Sequence, residues 1–191
     1  MRVPTEQPRE AGLPDPARLR HVLGHFCTGI AVVTAREDGR PPVGFTCQSF
    51  VSLSLRPPLV SFSVSRASQS WPGIQRAGRF CANILAADQE PLCGRFAAGG
   101  DRFAGVEWWE SPATGSPRLA GALAWVDCTL EAVYPGGDHR IAVGRVQDLG
   151  ATDGGPDPLL FYQARFHRAA PTTPSGPVET CLVEEERIGS A

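Results

Sequence analysis

Short apolar segments separated by tight-turn signals recur along the chain, and this pattern limits the possible folds more than any other feature. Six or seven segments have the length, alternation and residue types of β-strands. The turns between them, such as EDG at residues 37–39 and PGGDH at 135–139, are short enough to make neighbouring strands antiparallel. So many strands would leave unpaired edges in an open sheet. We therefore predict a mainly β protein with short helices, whose six to seven antiparallel strands form a closed or nearly closed barrel.

Three short segments have helical signals instead. Asp15 followed by Pro16 predicts a helix start, because a side-chain acceptor at the N-cap precedes a proline at the first helical position. Apolar residues follow at helical spacing up to residue 26. Residues 68–78 and 88–97 predict two further helices. The predicted strands cover residues 29–35, 45–54, 59–65, 79–86, 122–134, 140–150 and 159–166.

The length and composition fit one domain with two tails. The chain has 191 residues, 42% hydrophobic and 20% charged, and we expect a domain at 15–168 between tails at 1–14 and 169–191. The net charge is −2 without a basic cluster, so neither nucleic acid nor an anionic membrane is an expected partner. No stretch reaches the roughly 20 apolar residues of a membrane span. We expect no secretory signal, because the first residues lack a basic start followed by an apolar segment. We expect a cytoplasmic protein.

The sequence lacks the motifs of self-sufficient catalysis. It contains no P-loop, dinucleotide-binding glycine motif, nucleophile elbow or zinc-binding HExxH motif. The six cysteines are scattered without metal-ligand spacing, and His21 and His25 lack a third ligand at a suitable distance in sequence, so no metal site is predicted. A bound cofactor is then the economical source of any chemistry.

The polar segment TCQS at residues 46–49 interrupts a region that is otherwise rich in buried-strand residues. Two interpretations are open. Alternating polar side chains are common on the solvent face of a strand, with Cys47 facing inward. Alternatively, a flat polar ligand lies against the segment: Thr46 and Ser49 can donate hydrogen bonds to a phosphate or a ring carbonyl, Gln48 can donate or accept, and Gly44 leaves room.

Eight stretches, in the same order, resemble the flavin reductase family with the flavin-binding split-barrel fold, in particular the small reductase component of two-component flavin-dependent monooxygenases. They are FCTGIAVVTA, PVGFTCQSFVSLSLRPPLVSF, SQSWPGI, RFCANIL, DRFAGVEW, GSPRLAGALAWVDCTLE, GGDHRIAVGRV and PLLFY. The resemblance implies a Greek-key split barrel and a homodimer with one flavin per site near the dimer interface. It also implies hydride transfer from NADH to FAD or FMN, with FAD slightly favoured, and diffusion of reduced flavin to a partner monooxygenase or halogenase.

The resemblance further implies which residues surround the flavin. Residues 46–50 would lie along the ring and the ribityl chain, and the strand end at 33–35 would border the ring. The serines at 65–70 would hold the phosphate where a short helix begins, since free N–H groups suit an anion. The implied cofactor-binding residues are Val33, Thr34, Ala35, Gly44, Thr46, Cys47, Gln48, Ser49, Phe50, Ser65, Ser68, Ser70, Asn83, Arg95, Phe103, Asp138, His139, Phe161 and Tyr162.

The turn GGDH at residues 136–139 is a hairpin turn with a surface histidine when its residues are considered alone. The resemblance implies that His139 is the candidate catalytic residue, because it would hold the nicotinamide of NADH over the flavin in a near-attack geometry. Ala164 and Phe166 depart from the commoner glycine and tyrosine of the family, so no nicotinamide contact is carried over there. The alternative functions are a flavin-bound oxidase of the same barrel and a non-catalytic flavin-binding protein.

Overall fold

The computed structural model describes residues 14–152 and 154–169. Within them, the helices are α1 (Pro16–Leu23), α2 (Trp71–Ala77) and α3 (Glu90–Ala97), with a 3-10 turn at Ala87–Gln89. The predicted tails lie almost entirely outside the described residues, and the domain limits 15–168 stay a prediction. The strands are β1 (Thr28–Gly29), β2 (Ala31–Ala35), β3 (Val43–Cys47), β4 (Val51–Leu55), β5 (Pro58–Ser65), β6 (Arg79–Ile84), β7 (Trp108–Glu110), β8 (Pro117–Leu119), β9 (Ala124–Gly136), β10 (His139–Ala151), β11 (Leu159–Tyr162) and β12 (Arg165–Arg168).

Seven strands form one antiparallel sheet in the order β3-β2-β6-β9-β10-β5-β4. The two edge strands, β3 and β4, follow each other in the chain and are joined by residues 48–50 without pairing to each other. The sheet therefore curls until its edges approach, and the barrel is split between them. The predicted mainly β fold of six to seven antiparallel strands with short helices is confirmed.

Aromatic side chains fill the interior of the barrel. Phe62 on β5 lies with its ring centroid 5.1 Å from that of Phe80 on β6 and 5.9 Å from that of Phe45 on β3. These contacts connect strands from opposite halves of the sheet across the interior of the barrel. Trp71 of α2 packs against the same cluster. Gly144 is required by this packing, because an added Cβ would lie 2.3 Å from Cζ of Phe80.

A second apolar cluster covers the other side of β2 and β6. Phe96 of α3 is buried there, and its ring centroid lies 5.0 Å from that of Phe103 in the following loop. Leu119 of β8 and Leu159 of β11 close the cluster. These contacts fix α3 and β8 against the barrel wall. They thereby position the loop that follows α3. No helix of the described part is long and apolar enough to cross a membrane.

Helix α1 begins where the sequence predicts, since the Asp15 carboxylate accepts a hydrogen bond from the backbone N–H of Arg18 at 3.1 Å. Its apolar stripe is exposed, from 49% for Leu19 to 76% for Phe26. The stripe therefore does not contribute to the core of a single chain.

Three predicted strands are each divided in the structure. The segment 29–35 is split because Gly29 belongs to β1, which pairs with β11, while β2 begins at Ala31 and pairs with β3 and β6. The segment 45–54 is split because β3 pairs with β2 at one edge of the sheet while β4 pairs with β5 at the other. The segment 159–166 is a hairpin of β11 and β12. Its turn residues Gln163 and Ala164 have φ of 48° and 60°, the left-handed region that favours glycine and that two-residue hairpin turns require.

Candidate functional site

A groove of about 440 Å³ lies between the end of β3, the loop before α2 and the loop after α3. Strand β3 contributes Phe45 and Thr46, and the loop before α2 contributes Ser68 and Gln69. The loop after α3 contributes Arg102. Part of the predicted TCQS segment and one of the predicted phosphate-binding serines are thus brought together, with a cation that sequence reasoning did not select.

Arg102 is held rigidly but keeps part of its guanidinium free. Its Nε donates to the C=O of Ala98 at 2.6 Å, and its Nη1 donates to the C=O of Gly44 at 3.0 Å and to the Ser70 hydroxyl. A guanidinium has five N–H donors, so both donors of Nη2 remain. Among the described residues, none accepts a hydrogen bond from Nη2 and no carboxylate pairs with Arg102. A positioned cation with two free donors in one plane suits a phosphate.

Two predicted ligand residues position this arginine instead. Ser70 is 2% exposed and donates to the Gly44 C=O at 2.6 Å while it accepts from Arg102. Gly44 does not leave room for a ligand: a Cβ there would lie 2.8 Å from Cε1 of Phe96, so the glycine makes room for the core. The polar atoms of these two residues named here are occupied within the protein, so their direct contact with the cofactor stays a prediction that these contacts do not favour.

The hydroxyl groups of the TCQS segment are also used internally. Thr46 donates to the C=O of Cys93 at 2.7 Å. Ser49 accepts from the N–H of Ser63 at 2.8 Å and donates to its C=O at 3.3 Å, so it ties the split between β3 and β4 to β5. Since a hydroxyl has one proton, neither residue is free to donate to a ligand as predicted. The Gln48 side chain is exposed, and it makes no hydrogen bond within the described residues.

Two residues in this region face inward, as expected if the polar side chains of the segment alternate with buried ones and lie on the solvent face of a strand. Cys47 is 3% exposed, and Phe50 packs against the barrel core. Burial raises the pKa of the Cys47 thiol, an effect partly opposed by hydrogen bonds from the Ser49 hydroxyl and from the backbone N–H groups of Ser49 and Phe50. A buried thiol of raised pKa is inert, so it serves as a small core residue.

The start of α2 does not offer free N–H groups to an anion. The N–H of Trp71 is bound by the Ser68 hydroxyl at 3.3 Å, and those of Gly73 and Ile74 both contact the C=O of Ser70. Pro72 has no N–H. The phosphate site at this helix start stays a prediction, and the N–H groups of α2 itself are not its donors. What remains is the Ser68 hydroxyl proton together with the N–H groups of residues 69 and 70, which have no acceptor within the described residues.

The β9–β10 turn adjoins the loop that leads into the groove. Pairing of β10 with β5 sets His139 opposite Ser65, and the N–H of Arg66 donates to the C=O of Asp138 at 3.0 Å. His139 Nδ1 lies 2.7 Å from Asp138 Oδ1, and its Nε2 makes no hydrogen bond within the described residues. The hydrogen bond from His139 lowers the pKa of the Asp138 carboxyl. An ionised carboxylate at Nδ1 fixes the orientation of the ring. Ser65 accepts from the N–H of Ala67 at 3.2 Å and keeps its own proton.

Four other predicted cofactor residues lie in the core. The side chains of residues 33–35 and of Asn83 are fully buried. Asn83 Nδ2 donates to Thr34 Oγ1 at 3.1 Å, and Thr34 in turn donates to the C=O of Cys81 at 3.1 Å. A ligand outside the barrel does not reach side chains that are fully enclosed. We therefore assign Val33, Thr34, Ala35 and Asn83 to the structural core.

The remaining predicted residues do not line the groove. Arg95 donates to the C=O of Ala104 and lines a separate cavity, and the Phe103 ring packs between those of Phe96 and Trp108. Phe161 and Tyr162 belong to β11, which pairs with β1 and β12 in a different sheet. A single chain thus unites only part of the set implied by the resemblance.

The histidines at 21 and 25 lie with ring centroids 5.4 Å apart, and the Tyr162 hydroxyl lies 3.5 Å from Nδ1 of His25. Within the residues described, no group of three or more His, Cys, Asp or Glu could hold a metal ion. Cys27 is exposed, while the other four described cysteines are buried, and all five are unpaired.

Comparison with known proteins identifies relatives along nearly the whole described chain. The family model described as "Flavin reductase like domain" matches residues 23–170. The reductase subunit HsaB of a flavin-dependent monooxygenase from Rhodococcus jostii (strain RHA1) is 52% identical over 153 residues, which cover 80% of this chain and 77% of that protein. SmoA of Agrobacterium fabrum, named an FMN reductase (NADH), is 38% identical over 168 residues, which cover 88% of this chain and 94% of that protein.

Solved structures agree with these relatives. The NADH:FAD oxidoreductase SgcE6 of Streptomyces globisporus, in complex with NAD and FAD fragments, superposes with a TM-score of 0.77 at 36% identity. The match covers 84% of this chain and 98% of that one. A homologue of nitrilotriacetate monooxygenase component B from Mycobacterium thermoresistibile gives a TM-score of 0.79 at 43% identity, over 86% of this chain and 93% of that one.

Proposed function

The chain belongs to the flavin reductase-like family, and we propose on that basis that it transfers hydride from NADH to FAD or FMN and releases the reduced flavin to a separate oxygenase or halogenase. The observation that carries the proposal is the match over residues 23–170, which includes both the groove and the β9–β10 turn. Relatives named as reductase components of monooxygenases, and one of a tryptophan halogenase, support transfer to a partner.

The residues of the groove fit a phosphorylated flavin. The free Nη2 donors of Arg102 and the hydroxyl proton of Ser68 suit a phosphate. Gln48 does not line the groove but directly follows β3, and its exposed amide can donate to or accept from a ring edge. When bound, the flavin supplies a ring that accepts the hydride. The groove residues would bind a phosphate group, which FAD and FMN share, so either flavin fits. We keep the slight preference for FAD.

His139 is the candidate for orienting NADH. With Nδ1 held by Asp138, its Nε2 is positioned to accept a hydrogen bond from the carboxamide of the nicotinamide. Holding the donor in a near-attack arrangement accelerates hydride transfer without a proton donor, so no acidic residue is required at this position. We therefore assign His139 an orienting role.

The replacement His139→Ala is expected to raise the KM for NADH by roughly threefold to tenfold, because one hydrogen bond to the nicotinamide is lost. The dissociation constant of FAD should change by less than about twofold, since His139 does not line the flavin groove. Steady-state kinetics and fluorescence titration measure the two effects. His21→Ala, an exposed histidine on α1, is the matched control. An unchanged KM for NADH, or an equal loss of FAD affinity, contradicts the assignment.

We also propose a homodimer, because one face of the barrel carries apolar side chains that a single chain leaves exposed. Leu53 and Leu55 of β4 are 52% and 67% exposed, and Tyr134 of β9 is 56% exposed. These strands flank the β5–β10 pair that carries Ser65 and His139, so a second copy on this face would border the site. Sedimentation velocity should give a dimer, and Leu53→Glu should shift it toward monomer. A wild-type monomer at micromolar concentration would refute the dimer.

We place the reaction in the cytoplasm. The five described cysteines are unpaired, which suits a reducing compartment, and NADH is available there. Recovery of the protein in the soluble cytoplasmic fraction of its cells tests this placement.

Steady-state oxidation of NADH, with FAD and FMN supplied separately, tests the function. We expect turnover with added flavin, and loss of the visible flavin absorbance on anaerobic mixing with NADH. If NADH leaves the absorbance unchanged, the protein is a flavin binder without reductase activity. A flavin that stays bound through dialysis and turnover favours a flavin-bound oxidase.

A further inference from the structure

A second cavity, of about 510 Å³, lies far from the flavin groove along the β9–β10 hairpin. His139 pairs with Gly136 at the turn end of this hairpin, whereas Trp125 pairs with Gly150 at its open end. The cavity is lined at that open end by two indole rings, an arginine and leucine side chains. No part of the proposed reductase mechanism uses it.

Arg118 is the cation of this cavity, and it is fixed by aromatic rings. Its guanidinium carbon lies 5.7 Å from the ring centroid of Trp109 and 5.1 Å from that of Trp125, both within cation–π distance. The Trp125 ring rests on the backbone, because a Cβ added to Gly150 would lie 2.8 Å from three of its atoms. The ring contacts restrain the arginine without using its N–H donors.

The donors of Arg118 have no acceptor within the described residues. No oxygen there accepts a hydrogen bond from its guanidinium, and no carboxylate forms an ion pair with it. By contrast, Arg145 forms two hydrogen bonds with Glu131, and Arg79 and Arg36 each have an acidic partner. The side-chain nitrogen atoms of Arg118 are not buried either, so they face accessible space. A guanidinium that lines a cavity and has donors without acceptors suits a carboxylate, because its planar fork of N–H groups can bind both carboxylate oxygens.

We propose that this cavity binds a small aromatic monocarboxylate. The carboxylate accepts hydrogen bonds from the edge of Arg118, and the aromatic ring packs against Trp109, which is 54% exposed, and the apolar wall formed by Leu119 and Leu123. Asp88 also lines the cavity, and its negative charge opposes a dianion such as a phosphate monoester more strongly than a monocarboxylate, because the repulsion grows with the charge of the ligand. The inference stands independently of the proposed reductase activity.

Calorimetric titration of the full-length protein with benzoate tests the proposal. We expect saturable binding, accompanied by a change in tryptophan fluorescence, and little binding of neutral benzamide or of the non-aromatic cyclohexanecarboxylate. Arg118→Gln should weaken benzoate binding about tenfold or more, because a charge-assisted pair is lost. Arg165→Gln, an exposed arginine on β12, is the matched control and should bind as the wild type does.

Further measurements keep each outcome decisive. Thermal melting verifies that Arg118→Gln folds, and Trp109→Leu, at an exposed position, provides a second variant that should weaken benzoate binding. Neither variant should alter NADH oxidation, and saturating FAD should not displace benzoate. The proposal is overturned if wild-type protein does not bind benzoate, if Arg118→Gln and Trp109→Leu bind it normally, or if FAD competes with it.

Discussion

Replacing Arg102 by glutamine is expected to weaken the binding of both FAD and FMN by about tenfold to a hundredfold. The guanidinium offers two free donors at the groove, and a charge-assisted contact with a phosphate contributes about 1.5–3 kcal/mol. Glutamine keeps an amide donor but loses the positive charge and the fork of donors. Fluorescence titration with each flavin measures the loss. The two flavins should be affected alike, because the phosphate is common to both.

Arg95→Gln is the matched control for this experiment. Arg95 belongs to the site implied by the resemblance, but its side chain contacts Ala104 and lines another cavity. Its replacement should change the flavin dissociation constants by less than about twofold. Since Arg102 also bonds to Gly44 and Ser70, thermal melting of Arg102→Gln must show that the variant is folded at the titration temperature. Equal losses in both variants would make Arg95 a second phosphate contact, and a loss in Arg95→Gln alone would contradict the assignment to Arg102.

The fold could be predicted because its signals are local. Alternation, Asp-Gly and Gly-Gly turns and the Asp15-Pro16 helix start each act within a few residues, and each led to the correct type of element. The division of three predicted strands was missed because what divides them is not local. Residues 48–50 separate β3 from β4 only because the two strands pair at opposite edges of the sheet. Ala164 sits in a left-handed turn with no glycine to indicate it.

The site was only partly predictable, because hydrogen-bond partners distant in sequence determine which polar atoms are free. Thr46, Ser49 and Ser70 have the residue types of ligand contacts, yet their protons go to Cys93, Ser63 and Gly44. Matching each donor to its acceptor in the same way identifies Arg102, because its Nη2 has no acceptor among the described residues. In the sequence, Arg102 lies in the stretch DRF, which belongs to the resemblance, but only its neighbour Phe103 is predicted to bind the cofactor.

Asn83 is the residue at which a cofactor-binding role and a structural role can be distinguished most clearly. The resemblance implies a flavin contact, whereas the structure buries its side chain completely, with Oδ1 accepting from the N–H of Leu119 at 2.8 Å and Nδ2 donating to the C=O of Val32 at 3.1 Å. Asn83→Ala leaves the buried N–H of Leu119 without an acceptor and opens a cavity. We expect it to lower the free energy of unfolding by about 3–5 kcal/mol. For a domain of this size, the melting temperature should fall by about 6–20 °C.

The diagnostic comparison is between stability and affinity. Asn83→Ala should bind FAD within about twofold of the wild type at a temperature where it remains folded, because its side chain joins β6 to β2 and β8 and does not reach the groove. Gln48→Ala, at an exposed position of the TCQS segment, should do the reverse and leave the unfolding free energy within about 0.5 kcal/mol while it weakens FAD. Calorimetry and fluorescence titration of both variants provide the four values. If Asn83→Ala weakens FAD without lowering the melting temperature, the flavin enters the barrel wall, and the location of the groove as the cofactor site is wrong.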